Sequence, residues 1–201
     1  MTRWQLLTEI RAAMRSPDRL GDLVVLKSEL GRTRAFTAIE DKLDAVRGYH
    51  PRLDLAALAA LPEDTFGHAY ARFMRTHSLD LIEVTGNLPA EMVARNAFNV
   101  RYGIIHDMTH VLLGFDVSWP GEVGVWAFIG AQNYSRQFNL AGWLSLFVAP
   151  LFSPLRVGEA ISAWKRGRAL ARGAKLLITE RLEEQLHRPL AEVRAELGIA
   201  A

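Results

Sequence analysis

Cysteine is absent from the 201 residues, which excludes a disulfide framework and a thiolate metal site and fits a reducing compartment. An excess of charge of one sign is missing too. The 24 basic and 22 acidic residues leave a net +2, too little for a bulk nucleic-acid argument, and no nucleic-acid partner is expected. Residues 1–20 contain no apolar signal-peptide core, and Glu9 and Asp18 suit a mitochondrial transit peptide poorly, so a mature or bacterial start is expected. Internal repeats, low-complexity linkers and a convincing strand series are missing. Residues 137–155 are uncharged and approach the length of a membrane span. Pro150, Pro154, Gly142, Asn139 and Ser145 interrupt them, so an interfacial or buried hydrophobic helix is expected instead.

What is present is apolar periodicity. Half the residues are hydrophobic, enough for one sizeable core, and the expectation is an all-α single-domain helical bundle over residues 1–201. Trp4, Leu7, Ile10 and Met14 recur at spacings of three and four and predict an amphipathic helix that Pro17 helps to stop. A second helix is predicted over 18–30, with Leu20, Leu23, Val24 and Leu30 in the core. A third is predicted over 33–46, carrying Phe36, Ile39, Leu43 and Val46. A short helix over 53–61 leads to Pro62. The next should hold Glu63 and Asp64 in its first turn and place Phe66, Ala69, Tyr70 and Phe73 on the core side. One helix is predicted from Ala90 to Leu113. After Lys175, apolar residues from Leu176 to Leu197 keep a helical period interrupted near Pro189, with Arg181, Glu183, Glu184 and Arg188 facing solvent.

The chemistry concentrates in residues 101–132, where His106, Asp107, His110 and Glu122 stand in largely apolar sequence. His106 and His110 are four apart, so on a helix they project from one face and can reach one cation. Gly114 suits a C-terminal cap, 115–121 reads as a turn, and Glu122 then opens a helix that chain reversal brings over the histidines. Two imidazoles with one or two carboxylates make a mixed N/O set for a divalent metal. Zinc is favoured, manganese and iron are alternatives, and positions remain for water or substrate. Two histidines so spaced also occur on solvated helix faces. Here Ile104, Ile105, Val111, Leu112 and Leu113 make the helix apolar nearly all round, and ionisable groups placed there need partners. His68 and His77 read as surface groups near helix ends.

These residues also match a known pattern. HDxxH, eleven residues, then Glu resembles the signature of the fourth numbered protein family of the coenzyme Q (ubiquinone) pathway. Residues 61–74, the segment RYGIIHDMTHVLLG, Gly121-Glu122 with Trp126 and Gln132, PLFSPLRVG, and residues 180–199 resemble further blocks of that family. Ser153 stands where a glycine is more usual, and His77-Ser78-Leu79 replaces a segment expected to contain proline.

The resemblance implies metal-dependent oxidative decarboxylation of a polyprenylated hydroxybenzoate-type ring, its C1 carboxyl being replaced by hydroxyl. His106, Asp107, His110 and Glu122 would be the metal ligands, with Asp107 also moving a proton. The alternative is a non-catalytic scaffold that binds isoprenoid lipid and organises other ubiquinone-biosynthesis proteins; self-association into a homodimer is left open. A hydrolase reading of HDxxH is weaker, since zinc peptidases usually carry Glu where Asp107 stands.

Residues 137–155 adjoin a basic run, Arg156, Lys165, Arg166, Arg168, Arg172 and Lys175, broken only by Glu159. A solvated helix face would look similar, but the adjacency favours contact with a membrane surface. Leu146 and Phe147 would supply apolar contacts, and Arg156, Lys165, Arg166 and Arg168 basic ones. Residues 137–155 are also expected to line an apolar groove to the metal motif. The expected location is peripheral, on the cytoplasmic face of a bacterial inner membrane or the matrix side of a mitochondrial one.

Overall fold

Apolar residues three and four apart become helices along most of the chain. The computed structural model describes residues 1–199 as twelve α-helices and several 3-10 turns, with no strand among them beyond one isolated bridge between Thr65 and Pro189. The all-α expectation therefore holds.

α1 (Arg3–Ala13) opens on a capping box between Thr2 and Gln5 and packs on α2 (Leu20–Gly31). The helix forms as predicted, but on a different stripe. Leu6, Ile10 and Ala13 are buried, whereas Trp4, Leu7 and Met14 are exposed. Both stripes contain Ile10, and the position of Val25 and Leu26 on α2 decides which one faces inward. The predicted helix over 33–46 is largely replaced by α3 (Thr37–Glu40) and a 3-10 turn at Leu43–Ala45. Backbone groups ahead of α3 are taken by distant partners. The Phe36 amide donates to the Tyr134 carbonyl at 2.9 Å, and the Asn99 side chain donates to the Thr33 carbonyl at 3.0 Å.

α4 (Leu55–Ala59) is capped by Asp54, and α5 (Phe66–Thr76) by Thr65, whose hydroxyl accepts from the His68 amide. Glu63 and Asp64 thus precede α5 and do not occupy its first turn. The single helix predicted over 90–113 is broken into α6 (Ala90–Arg95) and α7 (Ala97–Leu113). At the break, buried Asn96 donates to the Met92 carbonyl at 2.8 Å and to Glu29 at 2.7 Å. An amide side chain bonding its own preceding turn competes with helix propagation.

Gly114, at φ +65°, ends α7 in the left-handed conformation its cap requires. Two arginines satisfy the last carbonyls: Arg194 donates to Val111 and Leu112, each at 2.8 Å, and Arg166 to Leu113 at 2.6 Å. α8 (Trp119–Ala131) has Glu122 as its single charged residue and lies between α9 (Arg136–Phe147) and, beyond the one-turn α10 (Ala149–Phe152), α11 (Val157–Ala171). Backbones meet directly there. A Cβ on Gly167 would stand 2.1 Å from the Gly124 carbonyl oxygen, and one on Gly142 2.7 Å from that of Trp126.

The tail is not a continuing helix. It folds as 3-10 turns at Leu177–Thr179 and Leu182–Gln185 before α12 (Leu190–Glu196), burying Leu177, Ile178, Leu182 and Leu186. Glu183 is buried with them, contrary to its expected solvent position, because it pairs with buried Arg101. No helix of the described residues is long and apolar enough to cross a membrane.

Candidate metal centre

The site is built from the last two turns of α7 and the first turn of α8. Ser118 caps α8, its hydroxyl accepting from the Gly121 amide, and Glu122 follows in that first turn. Its carboxylate faces both histidines: Oε1 lies 3.3 Å from Nε2 of His110, and Oε2 lies 3.7 Å from Nε2 of His106. One donor atom from each of the three residues lies within 4.8 Å of the others. Donors about 2.1 Å from a tetrahedral ion stand about 3.4 Å apart, so the carboxylate spacings are close to those of a ligand set.

His110 supplies the strongest test of fit. It is fully buried, and neither ring nitrogen has a hydrogen-bond partner. Leaving such an atom unsatisfied costs on the order of 1–3 kcal/mol, and coordination through Nε2 would relieve one of the two. Asp107 is outside the three-residue group. One residue beyond His106, it is rotated by about 100° around the helix, and its charge opposes ionisation of buried Tyr70. Of the four candidate ligands the structure thus brings three together, with Asp107 beside them. His68 donates from Nδ1 to the Leu61 carbonyl, and His77 packs edge-on against Phe73, so neither joins the group.

The electrostatics treat the two histidines differently. Burial, then the neighbouring His110, push the His106 pKa down to about 4 against the pull of Glu122. Burial disfavours charge on His110 as well, but Glu122 and Asp107 outweigh it and raise its pKa. Burial opposes ionisation of Glu122, and the two histidines more than compensate, holding it below the usual carboxylate range. Burial pushes Asp107 up to about 6, helped by Glu122 and opposed by His110.

His106 and Glu122 open onto a cavity of about 410 Å³ whose walls are mainly apolar. Val24 and Lys27 of α2, Ile82, Trp126 and Phe138 contribute to it, as do Tyr102 and Asn99 of α7. The expectation that residues 137–155 line the approach fails for all but Phe138, because α2 and the chain around Ile82 form the opposing wall. The sequence reading also missed Tyr102. Its hydroxyl is 3.1 Å from Nδ1 of His106, and the readable signal was its position one turn ahead of that histidine. Lys27 carried no local signal at all.

The expected membrane contacts divide. Phe147 is 73% exposed and is joined by Leu140, Leu144, Leu151, Phe152 and Leu155, the last 98% exposed. Leu146 is half-buried against Val123, Ala149 and Ala160. Arg156 pairs with Glu159 at 2.7 Å, Lys165 is exposed, and Arg168 lies over the rings of Trp143 and Trp164. Arg166 is committed to the end of α7 and to the face of Phe115.

Comparison with known proteins bears on this geometry. The sequence model described as coenzyme Q (ubiquinone) biosynthesis protein Coq4 matches residues 49–201. The ubiquinone biosynthesis protein COQ4 homolog, mitochondrial, of Danio rerio is 27% identical over 206 residues, covering 94% of this chain and 72% of that protein. COQ4 homolog 1 of Culex quinquefasciatus is 28% identical over 94% of this chain and 71% of its own. A crystal structure of a protein from Nostoc punctiforme, described as a ubiquinone biosynthesis protein, superposes with a TM-score of 0.67 at 22% identity, covering 99% of this chain and 95% of that one. That likeness bears on the fold alone. With its family model spanning the whole metal region, the chain belongs to the coenzyme Q (ubiquinone) biosynthesis protein Coq4 family.

Proposed function

We propose that this ubiquinone-biosynthesis protein is a metal-dependent enzyme that replaces the C1 carboxyl of a polyprenylated hydroxybenzoate-type ring by hydroxyl. The observation that carries the reading is that His106 and Glu122, two members of a three-donor group, open onto a largely apolar cavity. Such a group holds an ion on one side and leaves positions free for a ring oxygen on the other. A divalent ion, zinc first with manganese or iron as alternatives, would act as a Lewis acid toward the carboxylate or phenolate. His106, His110 and Glu122 would hold it. Tyr102 fixes the His106 ring, Trp126 and Phe138 keep water from the substrate ring, and Asp107, beside the ligands, takes up or returns a proton. Loss of carbon dioxide leaves an electron pair on the ring carbon, and forming the hydroxyl removes two electrons. An external two-electron oxidant is therefore consumed.

A polyprenylated ring resides in a bilayer, so the enzyme must work at its surface. The exposed apolar residues of α9 and α10, with Lys165 and Arg168 nearby, support a peripheral position on the inner face of a bacterial or mitochondrial inner membrane. The same exposed face also suits a scaffold that presents isoprenoid lipids to other pathway proteins. One experiment separates the two readings. In cells whose own C1 step is deleted, a His106→Ala/His110→Ala protein is expected to lose its metal, measured by elemental analysis, and to leave the C1-carboxylated precursor accumulated. Normal flux through that carbon with the double variant favours the scaffold, and full metal occupancy in it overturns the ligand assignment.

A further inference from the structure

The wall of the cavity opposite the metal group belongs to α2, and its chemistry differs from the rest. Val24, with Lys27 and Ser28 three and four residues beyond it, forms the part of α2 that lines the cavity. Lys27 is the one lysine or arginine there, and Glu122 the one carboxylate. The acids on the same helix are engaged elsewhere: Asp22 pairs with Arg19, and Glu29 pairs with Arg95 and Arg34. Lys27 is exposed on the cavity side and appears in no ion pair among the described residues. A mainly apolar chamber thus has, on the α2 part of its lining, a lysine that no carboxylate of the described residues engages.

We propose that Lys27 binds the anionic carboxyl of the ring and makes this cavity selective for a prenylated aromatic acid over the corresponding decarboxylated phenol. The proposal rests on the substrate reading given above and adds to it the residue that recognises the acid. A carboxylate entering an apolar cavity gives up hydration and requires a counter-charge; with the ion engaged by the phenolate oxygen, Lys27 is the one side chain of the lining that supplies it. A neutral phenol with the same tail makes the same apolar contacts and gains nothing from the ammonium. Removing the carboxyl therefore also removes the contact that retains the ring, so the substrate is held more tightly than its product. Lys27 lies outside residues 49–201, which places acid recognition on the helix that completes the cavity and apart from the metal-bearing segment.

The test uses the full chain and two probes, farnesylated 4-hydroxybenzoate and 2-farnesylphenol, titrated by calorimetry. The wild type is expected to prefer the acid about tenfold, a charge-assisted hydrogen bond at a partly hydrated position being worth about that factor. Lys27→Met should lose this preference by weakening the acid alone, with phenol affinity and metal content unchanged. Lys27→Arg should retain it, and added salt should narrow it in the wild type. A Lys27→Met protein that keeps the wild-type preference overturns the role of Lys27 while leaving the substrate reading intact. A wild type that binds neither probe overturns both.

Discussion

Arg101 and Glu183, 82 residues apart in the chain, meet as a bidentate ion pair that is almost wholly buried, with Nη2 of Arg101 2.9 Å from Oε2 of Glu183. The same guanidinium donates to the Glu180 carbonyl, so one side chain on α7 ties down the loop that leads to α12. Removing one partner strands the other charge. Arg101→Met or Glu183→Leu is expected to cost about 3–5 kcal/mol in urea unfolding, and the double substitution distinctly less than the sum of the two. Additive losses would show that the pair is not coupled.

Tyr102 should matter to the metal more than to the fold. Its hydroxyl occupies Nδ1 of His106 and leaves Nε2 to face Glu122. Partners of this kind, orienting a ligand from behind, typically contribute 10- to 100-fold to metal affinity. Tyr102→Phe is thus expected to weaken metal binding by roughly 10-fold or more in competition with a chromophoric chelator, with an unfolding midpoint close to that of the wild type. An unchanged affinity would assign the hydroxyl a packing role only.

These two predictions show what the sequence made legible. The spacing of His106 and His110, the left-handed Gly114 and a carboxylate in the first turn of α8 are local features, and all were readable. Arg101–Glu183 was not, because nothing in either neighbourhood records a partner so distant in the chain. The stripe on α1 failed for a related reason: two apolar stripes satisfy the same periodicity, and α2 chooses between them. Residues 33–46 failed because backbone bonds to Tyr134 and Asn99 override local helical preference. Lys27 reaches the cavity only through tertiary packing.

The metal-free protein should report the opposed shifts of Asp107 and His106. Asp107 is raised from 3.8 to about 6, so its ionised form burdens the folded state above that pH, and the burden disappears as pH falls to 3.8. His106 is lowered from 6.5 to about 4, so over nearly the same range the unfolded chain takes up a proton that the folded one refuses, and stability falls. The two slopes largely cancel in the wild type. Asp107→Asn removes one of them. It should be more stable than the wild type by about 1–3 kcal/mol at pH 7.5 and lose that advantage by pH 4, as measured by chemical denaturation across pH. A constant difference at all pH values would mean that Asp107 titrates as it does in water.

Membrane attachment should have two separable parts. Phe147→Ser with Leu151→Ser is expected to abolish most salt-resistant flotation with liposomes, since both side chains are exposed. Lys165→Gln with Arg168→Gln should lower only the salt-sensitive part on anionic liposomes, each cation near the surface contributing on the order of 1 kcal/mol. Arg166→Gln tests a different function, because Arg166 closes the end of α7, and it should lower thermal stability. A wild type that floats with neither neutral nor anionic liposomes overturns the membrane reading of the exposed face.

The contact of α8 with its neighbours through Gly124, Gly167 and Gly142 bears on how this protein can be altered. Where peptide backbones touch, there are no rotamers to rearrange, so Glu122 inherits its place from the path of the main chain and not from adjustable neighbours. The opposite wall, formed by Val24, Lys27 and Ile82, consists of side chains that can be exchanged one at a time. Redesign for a longer, shorter or differently charged guest is therefore best directed at that wall, leaving the glycine-packed side as the fixed anvil against which new shapes are tried.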